Sequence, residues 1–138
     1  MKLHSIAYWL FASAFVMAAG AAISIAEDAP KDNKGLAVGK TTVVELGSEI
    51  AGMEGWSLRQ RLFTIEPGGH IGIHSHKDRP AVAYFVQGTV VVTRDDGSSQ
   101  TFKAGDTTAE TKDATHWHRN VGTDAAILVA TDIFKSAK

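Results

Sequence analysis

Apolar and polar residues alternate in short segments along most of the chain, and glycine, proline or aspartate separates one segment from the next. Alternation with a period of two is typical of β-strands that bury one face, whereas no segment after residue 27 has the spacing of an amphipathic helix. Many short strands at regular spacing indicate a sandwich or barrel. We therefore predict one all-β domain, with strands at 42–46, 56–65, 70–76, 82–87, 89–94, 101–102, 107–110, 116–120 and 125–133.

The alternation in residues 56–65 leaves a choice of inward face. Leu58 and Leu62 lie on one face of this predicted strand, and Arg59 and Arg61 lie on the other. Leucine is the more common core residue, so we expect the leucines to face the core and the arginines to face solvent.

The first 26 residues follow a different pattern. After Lys2 the chain is uncharged and mostly apolar up to Ser24-Ile25-Ala26, which is a small-x-small cleavage signature. We predict a signal peptide at 1–26, a flexible polar mature N-terminus at 27–41 and the β-domain at 42–138, in a periplasmic or secreted protein. An uncleaved membrane anchor is the alternative, because about 20 apolar residues can span a bilayer.

Charge and cysteine content exclude several functions. The formal charge is −1, and loss of Lys2 with the leader makes it −2. A chain so close to neutral does not predict binding to nucleic acid or, once the leader is cleaved, to an anionic membrane. The absence of cysteine excludes disulfides, thiolate nucleophiles and cysteine-ligated metal sites.

Five of the six histidines fall in two short segments, 70–76 and 116–118. Side chains two residues apart on a strand share a face, so His74 and His76 form a natural pair of metal ligands. His116 completes a trio if its strand lies alongside. His118 shares the face of His116 and is a candidate catalytic acid or base. His70 shares the parity of His74, and a pocket position and an exposed position remain equally open for it.

The spacing of these histidines resembles the two motifs of the cupin superfamily. Gly68, five residues, His74-Ser75-His76 and then Gly88 match the first motif, and Gly105, His116 and Asn120 match the second. The resemblance runs from about residue 56 to residue 133. It implies a small single-domain jelly-roll β-barrel with a divalent metal on His74, His76 and His116, and a structural role for Asn120.

The chain departs from the family pattern at the usual glutamate, where it has Ala81, and at the Pro and Gly of the second motif, where it has Thr111 and Asp113. Three neutral imidazoles would leave the full double charge on the metal. This favours an anionic or enolisable substrate as the next ligand. Glu110 or Glu54 could supply a carboxylate from another strand or loop, but the spacing does not require either.

Cupins with three-histidine centres include cysteine dioxygenase, gentisate dioxygenase and diketone-cleaving dioxygenases. The resemblance therefore implies a metal-dependent oxygenase-type enzyme acting on a small molecule. Imidazole ligands are compatible with Fe, Mn, Ni, Cu or Zn, so the metal is left open. The alternatives are a non-catalytic module that binds or senses a small molecule and a metal-free structural cupin. Small cupins commonly pair through strands, which implies a homodimer.

Overall fold

A computed structural model describes residues 28–135, which form eight β-strands and one short 3-10 helix, Leu46–Ser48. Within this range no helix has the length and apolar character that crossing a bilayer requires, and the predicted leader lies outside the described residues. The strands are β1 (Lys34–Glu45), β2 (Trp56–Ser75), β3 (Ala81–Gln87), β4 (Thr89–Arg94), β5 (Ser99–Lys103), β6 (Thr107–Glu110), β7 (Thr115–Asn120) and β8 (Ala126–Lys135).

The strands form one antiparallel sheet in the order β5-β4-β7-β2-β8-β3-β6, with β1 also paired to β2. The predicted all-β barrel is confirmed. Strand β2 connects the two halves of the sheet, because its first half pairs with β8 and its second half with β7. Two predicted strands, 56–65 and 70–76, thus belong to one long strand. It changes partner near Gly68, whose φ of 70° is a conformation that favours glycine.

The N-terminal part of the domain is longer than predicted. Strand β1 begins at Lys34 and pairs with β2 from Lys34 opposite His70 to Glu45 opposite Ser57. Residues 34–41, predicted to be flexible, are therefore part of the sheet. Their polar composition misled the prediction because almost all of β1 is exposed, so an apolar stripe is not needed.

Residues 30–33, which we call the strap, run across the second half of β2. The Ile73 amide donates a hydrogen bond to the Pro30 carbonyl at 2.7 Å. The Gly72 amide donates to the Asn33 side-chain oxygen at 2.9 Å. These two bonds hold the strap against the strand that carries His74.

The apolar core is built from residues of β2, β3, β4, β5 and β8. Phe63 on β2, Leu128 on β8 and Phe85 on β3 lie side by side across the sheet and are all buried. Burial of a side chain of this size contributes about 2–3 kcal/mol. Phe63 is 9% exposed and Leu62 is 37% exposed, so the expected inward face of β2 was wrong. The face of Phe63 also carries Arg59 and Arg61, which turn inward with it.

Asn120 closes the turn beyond β7. Its side-chain nitrogen donates to the carbonyls of Ile65 and Asp124, both at 2.8 Å, and its side-chain oxygen accepts from the Gly122 amide at 2.9 Å. These bonds satisfy a buried polar group and tie β7 to the middle of β2. The contacts fit the structural role that the resemblance implied.

Candidate metal centre

A β-bulge in β2 sets the direction of the histidines. Ile71 pairs with His118 on β7, and His74 pairs with His116, so two residues of β2 oppose the single residue Trp117. The extra residue shifts the alternation of β2 by one position. As a result His74 faces the same side as His116 and His118, whereas His70 faces the other side. The parity argument for His70 fails for this reason, and His70 does not line the cavity described below.

His74 and His76 are each oriented by a backbone carbonyl. Nδ1 of His74 lies 2.8 Å from the carbonyl oxygen of Gly72, and Nδ1 of His76 lies 3.0 Å from that of Arg79. A neutral imidazole has one N–H, so it must be on Nδ1 for these bonds to form. Nε2 of both rings is then left with its lone pair free, which is the usual arrangement in a metal-binding histidine.

His116 and His118 complete a compact group of four rings. The centroid of His116 lies 4.8 Å from that of His74, 4.9 Å from that of His76 and 4.7 Å from that of His118. Both side chains are buried, with 2% exposure each. Nε2 of His116 and both ring nitrogens of His118 have no hydrogen-bond partner. Unpaired buried nitrogens are costly unless another group, such as a cation, satisfies them.

Glu110 brings a carboxylate into the same group. One of its oxygens lies 3.1 Å from Nε2 of His76, and the other lies 3.7 Å from Nε2 of His116 and 3.9 Å from Nε2 of His118. None of these nitrogens forms a hydrogen bond with it. The nitrogens and the oxygens therefore point toward a common space rather than at one another.

Glu110 lies opposite Ala81, the position of the glutamate in the first motif, on the adjacent strand β6. Directly paired residues of an antiparallel ladder project to the same face with Cβ atoms about 5 Å apart. A carboxylate on β6 can thus reach the space that a glutamate at 81 would reach from β3. Glu54, the other carboxylate considered, is exposed on the loop before β2.

The electrostatics keep the imidazoles neutral. Burial lowers the pKa of His76 to about 4 and that of His116 to about 3, with a further contribution from the neighbouring His74. Burial also holds the pKa of His118 well below its usual range. Neutral imidazole is the form that binds metal, so these rings need not lose a proton at neutral pH.

Glu110 is shifted in the opposite direction. Burial raises its pKa to about 7, although the guanidinium of Arg79 acts against this increase. A pKa this high means that the nearby positive charge does not offset the cost of burying the ionised carboxylate. A divalent cation among the four rings would supply the additional charge.

These residues fit a divalent metal. Two overlapping sets of ligand atoms, His74 with His116 and His118, and His76 with Glu110 and His116, each lie within 4.8 Å of one another. His116 belongs to both. The sequence-based trio of His74, His76 and His116 is therefore brought together, and the structure adds Glu110 and the ring of His118. The sequence does not assign Glu110 to the centre, because its place there depends on its pairing with Ala81. That pairing is set by the register of β3 and β6.

The centre opens into a cavity of about 360 Å³. Its walls include His74, His76, His118 and Glu110 at one side, with Ala81 and Ala130 leaving space beside them. Phe63, Ile71 and Leu128 form an apolar wall, and Lys31 and Asn33 of the strap also line it. Arg61, Arg79 and Asp132 form a charged wall. The cavity is large enough for a small organic molecule.

A family model described as "Cupin domain" matches residues 61–133, which is more than half of the chain. The chain is a cupin. The family assignment agrees with the barrel and with the motif histidines. No curated protein gives a significant match to this cupin.

Solved structures with the same fold include three of interest. An uncharacterized conserved protein with a double-stranded β-helix domain from Klebsiella pneumoniae is 20% identical, with a TM-score of 0.52 over 59% of this chain and 76% of that chain. The Cnp3 cupin domain of Schizosaccharomyces pombe is 13% identical, with a TM-score of 0.55 over 75% and 64%. A recombinant oxalate oxidase in complex with glycolate is 25% identical, with a TM-score of 0.52 over 72% and 51%.

Proposed function

We propose that this cupin is a metal-dependent, oxygenase-type enzyme that acts on a small anionic or enolisable substrate. His74, His76 and His116 would hold the metal, with Glu110 as an anionic fourth ligand. The observation that carries the proposal is the convergence of buried, unpaired imidazole nitrogens and one buried carboxylate at the wall of an open cavity. Glu110 replaces the expected all-imidazole centre with one that carries a negative ligand.

The protein residues divide the work between them. A metal bound here would polarise a substrate oxygen. Burial holds the pKa of His118 well below its usual range, so at neutral pH the ring has a nitrogen lone pair that can accept a proton and does not carry the imidazolium proton of a general acid. We therefore assign His118 as a base rather than an acid. The apolar wall of Phe63, Ile71 and Leu128 limits the access of water.

The ligand set and one structural relative support the class of substrate and metal. Imidazole with one carboxylate suits Fe, Mn, Ni, Cu or Zn, so the donor atoms alone do not select the metal. The oxalate oxidase relative was solved with glycolate, a small hydroxy acid. This chain spans about half of that enzyme, so a small carboxylic acid is a proposal for this protein and not a property carried over.

The test combines metal content with oxygen uptake. The purified protein, His74→Ala and Glu110→Gln are analysed for bound metal, with Glu66→Gln as a control because Glu66 is an exposed carboxylate outside the cavity. We expect one metal ion per chain in the wild type and in Glu66→Gln, and less in the other two. An oxygen electrode then measures uptake with small carboxylic acids such as glycolate and oxalate.

The outcomes separate the three functional classes. Oxygen uptake that requires both the metal and an acid supports the enzyme. Saturable binding of an acid without oxygen uptake or product, across a wider panel of acids and diketones, would indicate a binding or sensing module instead. Protein that purifies without stoichiometric metal and melts at the same temperature in chelator would be a structural cupin.

We also propose that the protein is exported and forms a homodimer. The support for export is the leader pattern of residues 1–26. N-terminal sequencing of protein from its native host should begin near Glu27, and Met1 on membrane-bound material would indicate an anchor instead. The support for a dimer is that small cupins commonly pair through strands, and light scattering in solution tests it.

A further inference from the structure

Asp132 on β8 is surrounded by three arginines. It is 1% exposed, and it accepts two hydrogen bonds from Arg59, at 3.0 and 2.8 Å, one from Arg61 at 2.9 Å and one from Arg79 at 3.0 Å. A single carboxylate thus balances only one of three guanidinium charges. The cluster keeps an excess of positive charge at the wall of the cavity.

Two of the three arginines face the cavity. Arg61 and Arg79 line it, whereas Arg59 does not and instead packs over the Phe134 ring at 4.3 Å. Arg61 and Arg79 line the same cavity as His74 and Glu110, two of the candidate metal ligands. The excess charge and the candidate metal therefore act on the same volume.

Arg61 has hydrogen-bonding capacity left over. Its Nη2 bonds to Asp132, but its Nε is buried without a partner. The Nε of Arg59, in contrast, bonds to Asp132. The Arg61 side chain is 20% exposed and lines the cavity, so its guanidinium can donate charge-assisted hydrogen bonds to a carboxylate there.

We propose that Arg61, assisted by Arg79, binds the carboxylate of the substrate and selects for it. The substrate is then a small carboxylic acid with a second oxygen that reaches the metal, as in a hydroxy acid or a dicarboxylate. The carboxylate site stands on the arginine geometry alone. The contact of the second substrate oxygen with the metal rests on the proposed function.

The experiment measures anion binding to metal-free protein, so that it does not depend on catalysis. Glycolate and its neutral amide, glycolamide, are titrated by NMR into the wild type, Arg61→Gln, Arg61→Lys and Arg59→Lys. Arg59→Lys is the matched control, since Arg59 lies on the same strand and also donates to Asp132 but does not line the cavity. We expect glycolate to bind more tightly than glycolamide, and Arg61→Gln to weaken glycolate binding about 10- to 100-fold. Arg59→Lys should change it about twofold or less.

Two other results would overturn a direct contact between Arg61 and the carboxylate. Equal losses in Arg59→Lys and Arg61→Lys would show that the effect passes through Asp132, and would overturn a direct contact with Arg61. Equal affinity for glycolate and glycolamide would overturn it as well. If Arg61→Gln does not fold, Arg61→Lys, which keeps the charge and loses the planar set of guanidinium donors, decides the question with an expected loss of about tenfold.

Addition of metal distinguishes the two proposals. The carboxylate site stands and the metal function fails if glycolate binding needs Arg61 but the purified protein holds no metal. The metal function stands and the carboxylate site fails if glycolate binds only to metal-loaded protein and with equal affinity in the wild type and Arg61→Lys. In that case Arg61 does not select the substrate.

Discussion

Glu110 lies directly opposite residue 81, the position at which the motif has its glutamate, on the adjacent strand. It is 5% exposed, and its oxygens lie within 4 Å of the Nε2 atoms of His76, His116 and His118. The carboxylate is thus expensive to ionise without a metal. Ionisation of this buried carboxylate should therefore make the stability of the metal-free protein depend on pH.

Without metal, Glu110 should make the protein less stable as the pH rises. Its folded-state pKa, raised by burial to about 7, lies above its ordinary value of 4.5, so the folded state holds the proton more tightly than the unfolded state does. Stability relative to Glu110→Gln should therefore fall between pH 4.5 and 7, by up to about 3 kcal/mol, and be constant above that range. Chemical denaturation of both proteins in chelator measures the difference, in which the contributions of titrating groups remote from Glu110 cancel. A difference that increases with pH would contradict the assigned shift.

The histidines should differ in their importance for metal binding. His116 belongs to both candidate ligand sets, so His116→Ala should cause the largest loss. His74→Ala and His76→Ala should also abolish or greatly weaken binding, whereas His118→Ala should cost only about 10- to 100-fold in affinity, as for residues that support a metal centre. Competition with a chromogenic chelator gives the four affinities. If His118→Ala loses as much as His116→Ala, His118 is a ligand and its assignment as a base is wrong.

Among the structural elements, β2 shows where sequence patterns succeed and where they fail. The pattern predicts both halves of this strand and the two histidines that share a face. It does not predict the bulge near Gly72, because one extra residue leaves no compositional trace and yet reverses the alternation on either side. His70 was placed by parity across that bulge. The register between β3 and β6, which puts Glu110 beside Ala81, is likewise a property of paired strands and not of either segment alone.

The pairing of Ala81 with Glu110 predicts that the carboxylate can be exchanged between the two strands. Glu110→Ala should release metal, and the double variant Ala81→Glu/Glu110→Ala should recover an affinity within about tenfold of the wild type, because both positions project to the same face. Ala81→Glu alone should not improve binding, since two adjacent carboxylates would repel each other. Metal dissociation from the four proteins measures the exchange. Failure of the double variant to recover, in a folded protein, would show that residue 81 does not face the metal.

Gly72 should tolerate no side chain. A Cβ atom at this position would lie 2.5 Å from the Asp32 carbonyl oxygen, which belongs to the backbone of the strap. Gly72→Ala should therefore displace the strap or the bulge and weaken metal binding, because the Gly72 carbonyl also orients His74. Gly52→Ala is the control for general destabilisation, because its φ of 86° strains an alanine there while nothing lies within 4 Å of its Cβ position. Equal metal affinity in Gly72→Ala and the wild type would show that the strap does not support the centre.

At the scale of the whole molecule, the barrel and the location of the centre follow from the sequence, whereas the charged wall does not. Alternating strands and paired motif histidines are local patterns with a fixed geometric meaning. Arg59 and Arg61 were assigned to solvent because leucine is the more usual core residue. Their inward position depends on Asp132, which lies 71 residues beyond Arg61 and provides the buried partner that makes it possible. The strap, too, has no apolar pattern, because it is held by one backbone hydrogen bond and one from the Gly72 amide to the Asn33 side chain.

Metal should stabilise the whole domain, because its ligands come from β2, β6 and β7 and from His76 in the loop between β2 and β3. A ligand that binds only the folded state adds about 2.7 kcal/mol when its free concentration is 100 times Kd. For a domain of this size the melting temperature should then rise by roughly 10 °C. Calorimetry with and without chelator measures the rise, and His116→Ala should melt at one temperature in both conditions. A wild-type protein unaffected by chelator would contradict a resident metal.

The strap has a consequence for the timescale on which the cavity can open. Its two anchors are the amides of Gly72 and Ile73, which donate to Asn33 and Pro30. An amide exchanges its hydrogen for deuterium only while its bond is broken, so the exchange rates of these two amides report how often the strap detaches. Exchange at Ile73 that is faster than at the core strands would identify detachment as a local event and not as unfolding. The same two amides would then report how often Lys31 moves away from the cavity and back, without any substrate present.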